Sequence, residues 1–473
     1  MPRPTLGPIV GVVTPTSARV LFEFPAATPA RVFPAHAPLT ITLHGLLPET
    51  EYALSVIDDN DEGGVDLCLG FVSCNKPPPA VLDGSVDSLW TTLADRASHF
   101  HMIVHIGDQV YCDDAFAAAE DLISSGVHTR GSPEFHSAVA DLYAAVYRTN
   151  WASEATARVL ANTGNIMIWD DHEIRDDWGS LPEDSDPSSL AFEIGLIARD
   201  VYRSYQGSLV HSPGAAGHLE HAILRIGGVG IILVDQRGGR SFEPALGGAG
   251  AGAGELPYLS ASQWADIDAA LASGGRLGAE DVTRLIVATS VPLVYLNKKL
   301  TDAAAQVEPL GDLKDHWAYG GHSDEQLRMV NALLDWKYGS GDASEPQHGR
   351  DVAVVAGDVH VGVFSTLTRP CGSGANSQTM AQLTASSITN EKMPEPLYAV
   401  LHAALHKNLA ISVSADTGCF YRHDKAVRDN NYGAITLSPA DRITLSLHTL
   451  SGERHVYTAA DKVSSSCCCC CVS

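Results

Sequence analysis

The chain has 473 residues, enough for about three domains of ~150 residues or for one large domain with additions. Hydrophobic residues make up 45% and charged residues 18%, a composition that excludes a disordered or fibrous protein. Its 31 lysine and arginine residues against 56 acidic residues give a net charge of −25, which argues against nucleic-acid binding and against attraction to anionic membranes. A phosphate substrate would therefore need a local cation at its binding site.

The sequence carries no clear export or membrane signal. No apolar run reaches the ~18 residues that a spanning helix needs. The start, MPRPTLGPIVGVV, has prolines and an arginine where a secretory signal has its apolar core. The cysteines of the body are sparse and odd in number, which suits a reducing compartment. We therefore expect a cytoplasmic protein.

Residues 1–70 have the pattern of a small β domain. Short runs such as PIVGVV, SARVLFEF and LTITLHGL alternate in polarity and are separated by proline, threonine and glycine. The stretch around Tyr52 resembles the fibronectin type III turn in which a tyrosine hydroxyl bonds to nearby backbone. The pattern predicts a fibronectin III-like β-sandwich in which Tyr52 has a structural role.

Residues 71–455 show a different pattern, which leaves 456–473 as a cysteine-rich tail. Continuous apolar runs, among them MIVHI, NIMIW, VGIILV and VAVVA, are separated by longer segments with helical spacing. Runs of this kind are typical of strands buried on both faces of an α/β sheet. This region is therefore predicted to be one layered α/β domain.

Polar side chains follow these apolar runs, where the carboxyl ends of strands place functional groups. The residues concerned are Cys74, Asp108, Tyr111, Asp170, Asp171, His172, Glu173, Asp358 and His360. Any one cluster could simply cap a following helix or turn. There are four such clusters, and one has four consecutive polar residues. Without a cation, their charged side chains would repel one another and would lose hydration at a high cost in free energy. We therefore predict a site for two or more metal ions.

Six motifs carry a family resemblance. They are GDQVY (107–111), WDDHE (169–173) with an acid at 176, DQRGGR (235–240), KDHWAY (314–319), AGDVH (356–360) and NNYGAITL (430–437). In this order they resemble the alkaline phosphatase D (PhoD-like) group of the calcineurin-like metallophosphoesterases. The resemblance implies a four-layer sandwich, with two mixed sheets flanked by helices. It also implies a metal-dependent phosphatase or phosphodiesterase in which metal-activated water attacks a phosphate ester.

The same resemblance implies a ligand set for two kinds of ion. It makes Asp108 the bridging carboxylate, with Asp170 as a further candidate ligand. The other implied ligands are Cys74, Tyr111 and His360 on an Fe³⁺ side, and Asp171, Asp176 and Asp358 on a Ca²⁺ side where other divalent ions are possible. The histidine that the wider superfamily places after a neighbouring strand is replaced by Ser290. The second site should therefore be poor in nitrogen ligands.

The resemblance also implies catalytic and substrate-binding roles for residues at matching positions of the motifs. His172 is the candidate to protonate the leaving oxygen or to steady the transition state. Arg237 and Arg240 match the family's arginine motif and could grip phosphate, although Arg240 could instead be a surface residue. His105 lies within an apolar run and is expected to be a buried packing residue.

The tail contains five of the ten cysteines, Cys467–Cys471. The last four residues read as a prenylation signal on Cys470, with Cys467, Cys468 and Cys469 as candidates for acylation. Such a tail would hold the protein on the cytosolic face of a membrane. A functionless low-complexity run is the other interpretation.

Two further classes of function are weighed against a phosphohydrolase. A catalytically silent, membrane-tethered binding module would be expected to lose an acid or His172, and here every such position is filled. A zinc hydrolase of another type would need a motif such as HExxH, which the chain does not contain. Neither the physiological ester nor the oligomeric state can be read from the sequence.

Overall fold

The computed structural model describes residues 6–14, 17–23, 39–44, 67–211, 220–240, 257–304, 311–341, 343–371, 376–413, 418–437 and 443–458. The strands are β1 (Leu6–Thr14), β2 (Ser17–Glu23), β3 (Leu39–His44), β4 (Leu67–Val72), β5 (Met102–Ile106), β6 (Gly164–Ile168), β7 (Ala222–Ile226), β8 (Val229–Val234), β9 (Arg284–Thr289), β10 (Asp351–Ala356), β11 (Gly362–Cys371), β12 (Asn376–Thr384), β13 (Ile411–Ser412), β14 (Phe420–Val427), β15 (Asn431–Leu437), β16 (Thr444–Thr449) and β17 (Arg454–Thr458).

The helices alternate with these strands in the central part of the chain. They are α1 (Pro79–Leu82), α2 (Leu89–Asp95), α3 (Asp113–Ser124), α4 (Pro133–Trp151), α5 (Glu154–Asn162), α6 (Leu190–Tyr205), α7 (Ala261–Leu271), α8 (Lys298–Ala304), α9 (Ser323–Tyr338) and α10 (Glu395–His406). Within the ranges given above, none of the helices has the length and apolarity to cross a bilayer.

The N-terminal strands form an antiparallel sheet, β1-β2-β3, in the part of the chain that the structure describes. Leu6, Ile9 and Leu21 belong to the main hydrophobic core, and the Asn165 side chain donates a hydrogen bond to the Val10 carbonyl at 3.1 Å. The sheet thus packs directly on the following domain. A fibronectin III-like sandwich is not confirmed, and Tyr52 lies outside the described residues.

The expected domain division at residue 70 falls inside a strand. β4 pairs in parallel with β5 and antiparallel with β15, so it is a central strand of the following domain. The strand begins at Leu67, ahead of the expected start at 71. The division into 1–70, 71–455 and 456–473 stays a prediction.

Two mixed sheets form the body of the domain. In the described ranges, one has the order β17-β16-β15-β4-β5-β6 and the other the order β13-β14-β11-β12-β10-β9-β8-β7. The neighbours β4, β5 and β6 are parallel in the first sheet, as are β8, β9 and β10 in the second. The predicted α/β class with two mixed sheets is confirmed.

Alternation along each strand explains the layers. Val104 of β5 and Ile286 of β9 belong to the core between the two sheets, whereas Ile103 packs in a separate cluster with residues of α2 and α5. Val287 packs on the far side of the second sheet, in the cluster that contains residues of α7 and α9. Because successive side chains of a strand point to opposite faces, both sheets are buried on both sides and carry helices outside.

The carboxyl ends of the two sheets meet at two glycines. A Cβ on Gly107, after β5, would lie 2.7 Å from the Asp170 Cβ and 2.9 Å from the Ser290 Cβ. A Cβ on Gly357, after β10, would lie 2.6 Å from the Ser73 Cβ. The absence of a side chain at both positions lets the loops of one sheet touch those of the other, and the polar residues that follow converge in this gap.

Candidate metal centre

Four of the strand-end residues have an unusual backbone conformation. Cys74, Asp108 and Asp358 have φ angles of 54°, 55° and 67°, and His360 has 51°. Residues other than glycine rarely adopt positive φ because the Cβ is crowded, and such strain is concentrated at functional sites. The sharp turns direct these side chains back into the gap between the sheets.

The carboxylates of three different loops lie together. Asp108, Asp170 and Asp358 each offer an oxygen within 4.8 Å of the others, and Asp108, Asp171 and His172 form a second such group. Asp108 Oδ1 and Asp170 Oδ2 are buried and have no hydrogen-bond partner. Buried carboxylate oxygens without a partner are costly, so this donor set fits a bound cation. Asp108 is common to both groups.

A softer set of donors lies on the other side of Asp108. The Tyr111 hydroxyl donates to Asp108 Oδ2 at 3.2 Å, and Cys74 Sγ lies 3.5 Å from the same oxygen. Ser386 Oγ donates to Cys74 Sγ at 3.0 Å. Burial, followed by the Asp108 charge, raises the pKa of both the Cys74 thiol and the Tyr111 phenol. The thiol and the phenol would therefore lose their protons only when a cation is bound beside them.

His360 is linked to Tyr111 by Asn390, a residue that the sequence analysis missed. Asn390 Nδ2 donates to the Tyr111 hydroxyl at 2.6 Å and lies 3.2 Å from His360 Nε2. Burial lowers the pKa of His360 to about 4, so the imidazole is neutral. Asn390 follows β12, and no motif marked it in the sequence.

His172 stands against Tyr111, with ring centroids 4.1 Å apart. Its Nδ1 lies 3.1 Å from both carboxylate oxygens of Asp113, the first residue of α3. Its Nε2 lies 3.6 Å from Asp176 Oδ1. Although burial opposes the charged form, Asp171 and Asp113 together raise the pKa of His172 well above its usual value.

Asp176 is placed differently from the other predicted ligands. Its side chain is 66% exposed and faces His172, and among the described residues it is in neither group of potential ligands. This geometry does not support its predicted role as a metal ligand, which stays a prediction. The backbone N–H of Asp176 donates a hydrogen bond to Asp113 Oδ1 at 2.8 Å.

Arg237 and Arg240 are both buried, so the surface alternative for Arg240 is wrong. Arg237 pairs with Asp170, with Asp171 at 3.3 Å and with Asp315, while Arg240 pairs with Asp315 from the other side. Carboxylates that already occupy the guanidinium of Arg237 leave it poorly placed to grip a phosphate. The predicted role of Arg237 in phosphate binding is untested. Its contacts are those of a positive charge that balances and orients the Asp170 and Asp171 carboxylates.

Glu173, the last residue of the WDDHE motif, is turned into the protein. Its carboxylate accepts hydrogen bonds from the backbone amides of Asp108, Gln109 and Asp170 at 3.1, 2.8 and 2.8 Å. The Gln206 side chain donates a fourth at 2.9 Å. Glu173 thus holds two ligand-bearing loops in position.

The KDHWAY motif brings in a histidine to which the sequence reasoning gave no role. His316 Nε2 lies 3.8 Å from Asp358 Oδ2, and its side chain is 4% exposed. Ser290 donates its hydroxyl to Gln236 Oε1 at 3.1 Å. His105 is buried as predicted and bonds to Gln109.

Comparison with known proteins finds a phosphatase family model that matches part of the chain. Residues 69–255 match the family model of the PhoD-like phosphatases, which confirms the resemblance seen in the motifs and makes this part of the chain a PhoD-like phosphatase domain. A solved structure of PhoD is similar over 97% of this chain and 89% of its own, with a TM-score of 0.61 and 13% identity. At that identity the likeness shows the shared fold.

A purple acid phosphatase from yellow lupin (Lupinus luteus) seeds matches less well. It covers 94% of this chain and 59% of its own, with a TM-score of 0.44 and 11% identity. No curated protein sequence matches the chain significantly.

Proposed function

We propose that the protein is a metal-dependent phosphoesterase that hydrolyses phosphate monoesters or diesters. The observation that carries this proposal is the position of Asp108. Its carboxylate lies with those of Asp170 and Asp358 in one group and beside that of Asp171 in the other, and one of its buried oxygens has no hydrogen-bond partner. A carboxylate placed in this way can bridge two cations, and residues 69–255 of the surrounding domain match a phosphatase family model.

The donor types suggest two different ions. Cys74 and Tyr111, with His360 close by, would hold a softer ion and favour Fe³⁺, while Asp170, Asp171 and Asp358 would favour Ca²⁺ or another divalent ion. When bound, such ions would polarise the phosphoryl oxygens and make water a better nucleophile. The thiolate and phenolate forms of Cys74 and Tyr111 would be stabilised by the same charge.

His172 is placed to hold a proton for the leaving group. A carboxylate only accepts hydrogen bonds, so Asp113 orients the imidazole with a proton on Nδ1. Asp171 and Asp113 raise the pKa of His172 against the effect of burial, which favours the form with a proton on Nε2 as well, and this proton could pass to the departing oxygen of the ester. Asp113 therefore acts as a positioning residue for His172.

A comparison of metal-free and reconstituted protein tests the proposal. The protein is freed of metal with a chelator, reloaded with single ions and with pairs, and assayed on chromogenic phosphate monoesters and diesters. We expect hydrolysis only after reloading and none in a reloaded Asp108→Ala variant. Full activity of the metal-free chain would overturn the proposal, and the preference for one ester class would settle the type of reaction.

The alternative of a catalytically silent binding module is not favoured, because the predicted acids and His172 are present and the domain matches a phosphatase family. A cytoplasmic location with attachment to a membrane through a lipid on Cys470 is a separate proposal. Its support is the C-terminal sequence alone, since Cys467–Cys471 lie outside the described residues.

A further inference from the structure

Around Asp358 the centre contains carboxylate oxygens and also one imidazole nitrogen, that of His316, which has no assigned role. Ser290, at the end of β9, keeps its hydroxyl on Gln236 and does not supply a donor there. The imidazole of His316 comes instead from the residue that follows the helical turn at 311–315, and its Nε2 lies 3.8 Å from Asp358 Oδ2.

His316 faces Asp358 without a hydrogen bond between the two side chains. The 3.8 Å between Nε2 and Oδ2 is too long for a hydrogen bond. The His316 side chain is only 4% exposed, so its imidazole faces the Asp358 carboxylate from within the protein.

We propose that His316 ligates, through Nε2, the same cation as Asp358. Nitrogen and oxygen ligands each lie about 2.0–2.2 Å from ions such as Zn²⁺, so two ligands of one ion are on the order of 3–4 Å apart. The observed separation falls in that range. The inference rests on the proposed function only in that both require a metal centre at Asp358.

The backbone on either side of His316 is held firmly, as a ligand requires. The carboxylate of Asp315 is bound by Arg237 and Arg240, and its carbonyl accepts a hydrogen bond from the Tyr258 hydroxyl. The ring of Tyr295 packs on His316 with centroids 5.4 Å apart. The imidazole is therefore preorganised toward Asp358 before any ion binds.

A nitrogen ligand changes the metal preference of this position. Imidazole suits Zn²⁺, Fe²⁺ and similar borderline ions, whereas all-oxygen sites suit Ca²⁺. The expectation of a nitrogen-poor second site would then not hold for this chain. The ion bound at Asp358 should be a transition metal or zinc whenever these compete with calcium.

Metal affinity measured without turnover tests the proposal. Metal-free full-length protein, His316→Ala and His316→Gln are titrated with Zn²⁺ and with Ca²⁺, and bound metal per chain is measured by mass spectrometry. The matched control is His221→Gln, a buried histidine that bonds to Asp266 away from the centre. We expect a loss of Zn²⁺ affinity of about 10–100-fold or more in both His316 variants, little change for Ca²⁺, and no change in the control.

The outcomes separate this proposal from the proposed function. Unchanged Zn²⁺ affinity in folded His316 variants, or no Zn²⁺ binding by the wild type, overturns the ligand role even if the enzyme hydrolyses esters. Loss of Zn²⁺ from the variants sustains it even if the loaded wild type is inactive. If the variants do not fold, pulsed electron paramagnetic resonance of the Mn²⁺-loaded His172→Ala/His360→Gln protein replaces them. Absence of a coordinated imidazole nitrogen there overturns the proposal.

Discussion

The Glu173 carboxylate accepts a hydrogen bond from the backbone N–H of Asp108 at 3.1 Å, across a sequence separation of 65 residues. The same oxygen of Glu173 accepts the Asp170 amide at 2.8 Å. One buried side chain therefore fixes the spacing of two loops whose carboxylates form the candidate metal centre. The relationship makes the geometry of the centre depend on a residue that holds no metal.

Replacement of Glu173 should destabilise the whole domain. Glu173→Ala would leave several buried N–H groups without an acceptor, at about 1–3 kcal/mol for each group left unsatisfied, so we expect a loss of about 3 kcal/mol or more in the free energy of unfolding. Urea denaturation measures this value. The exposed Glu183→Gln is the control and should change it by less than about 0.5 kcal/mol. Equal stability of both variants would contradict the assigned role.

Asp108→Ala should abolish turnover together with metal binding, because one carboxylate serves both ligand groups. Bound metal per chain, measured by mass spectrometry after reconstitution, should fall along with the rate of hydrolysis. A variant that keeps its full metal content would show that Asp108 is not the bridge.

His172→Ala should lower kcat about a hundredfold or more while the metal content stays at the wild-type level, because a proton donor and not a ligand is removed. Asp113→Asn should show a smaller fall in kcat, since it changes only the orientation of the imidazole. Steady-state rates and metal content are measured on the same preparations. Loss of metal from His172→Ala would identify His172 as a ligand.

Tyr111→Phe should remove the phenolate part of the visible absorption of iron-loaded protein and leave the part that comes from the Cys74 thiolate. A phenolate on Fe³⁺ gives a charge-transfer band, and the Tyr111 hydroxyl lies 3.2 Å from Asp108 Oδ2, on the side expected for iron. Absorption spectra of the two proteins at equal iron content make the comparison. The remote Tyr457→Phe serves as control and should keep the band. A spectrum that is unchanged in Tyr111→Phe would exclude the tyrosine as an iron ligand.

Arg237→Gln should weaken metal binding and folding more than it weakens substrate binding. Removal of one partner of a buried ion pair typically costs about 3–5 kcal/mol, and Arg237 pairs with Asp170, Asp171 and Asp315. Chemical denaturation, metal content and KM are measured together. A rise in KM alone, with stability and metal content preserved, would instead support a role of Arg237 in binding the phosphate of the substrate.

Local patterns in the sequence determined the class of the domain and most of the centre. Buried parallel strands must be continuously apolar, and their carboxyl ends must share one edge, so the runs ending at Asp108, Asp170 and Asp358 could be assigned from the chain alone. The order of short motifs was specific enough to indicate the phosphatase family, which the match at residues 69–255 confirms.

The tertiary structure decided how these side chains are used. Whether Arg237 meets a substrate or a carboxylate, and whether Glu173 faces an ion or the backbone, depends on contacts between loops far apart in sequence. Asn390 and His316 reach the centre from segments that do not follow a continuous apolar run in the sequence. Spacing along the chain reports which residues share an element, but the direction of a buried polar side chain is set by the partners that satisfy it, and those partners are brought together only by folding.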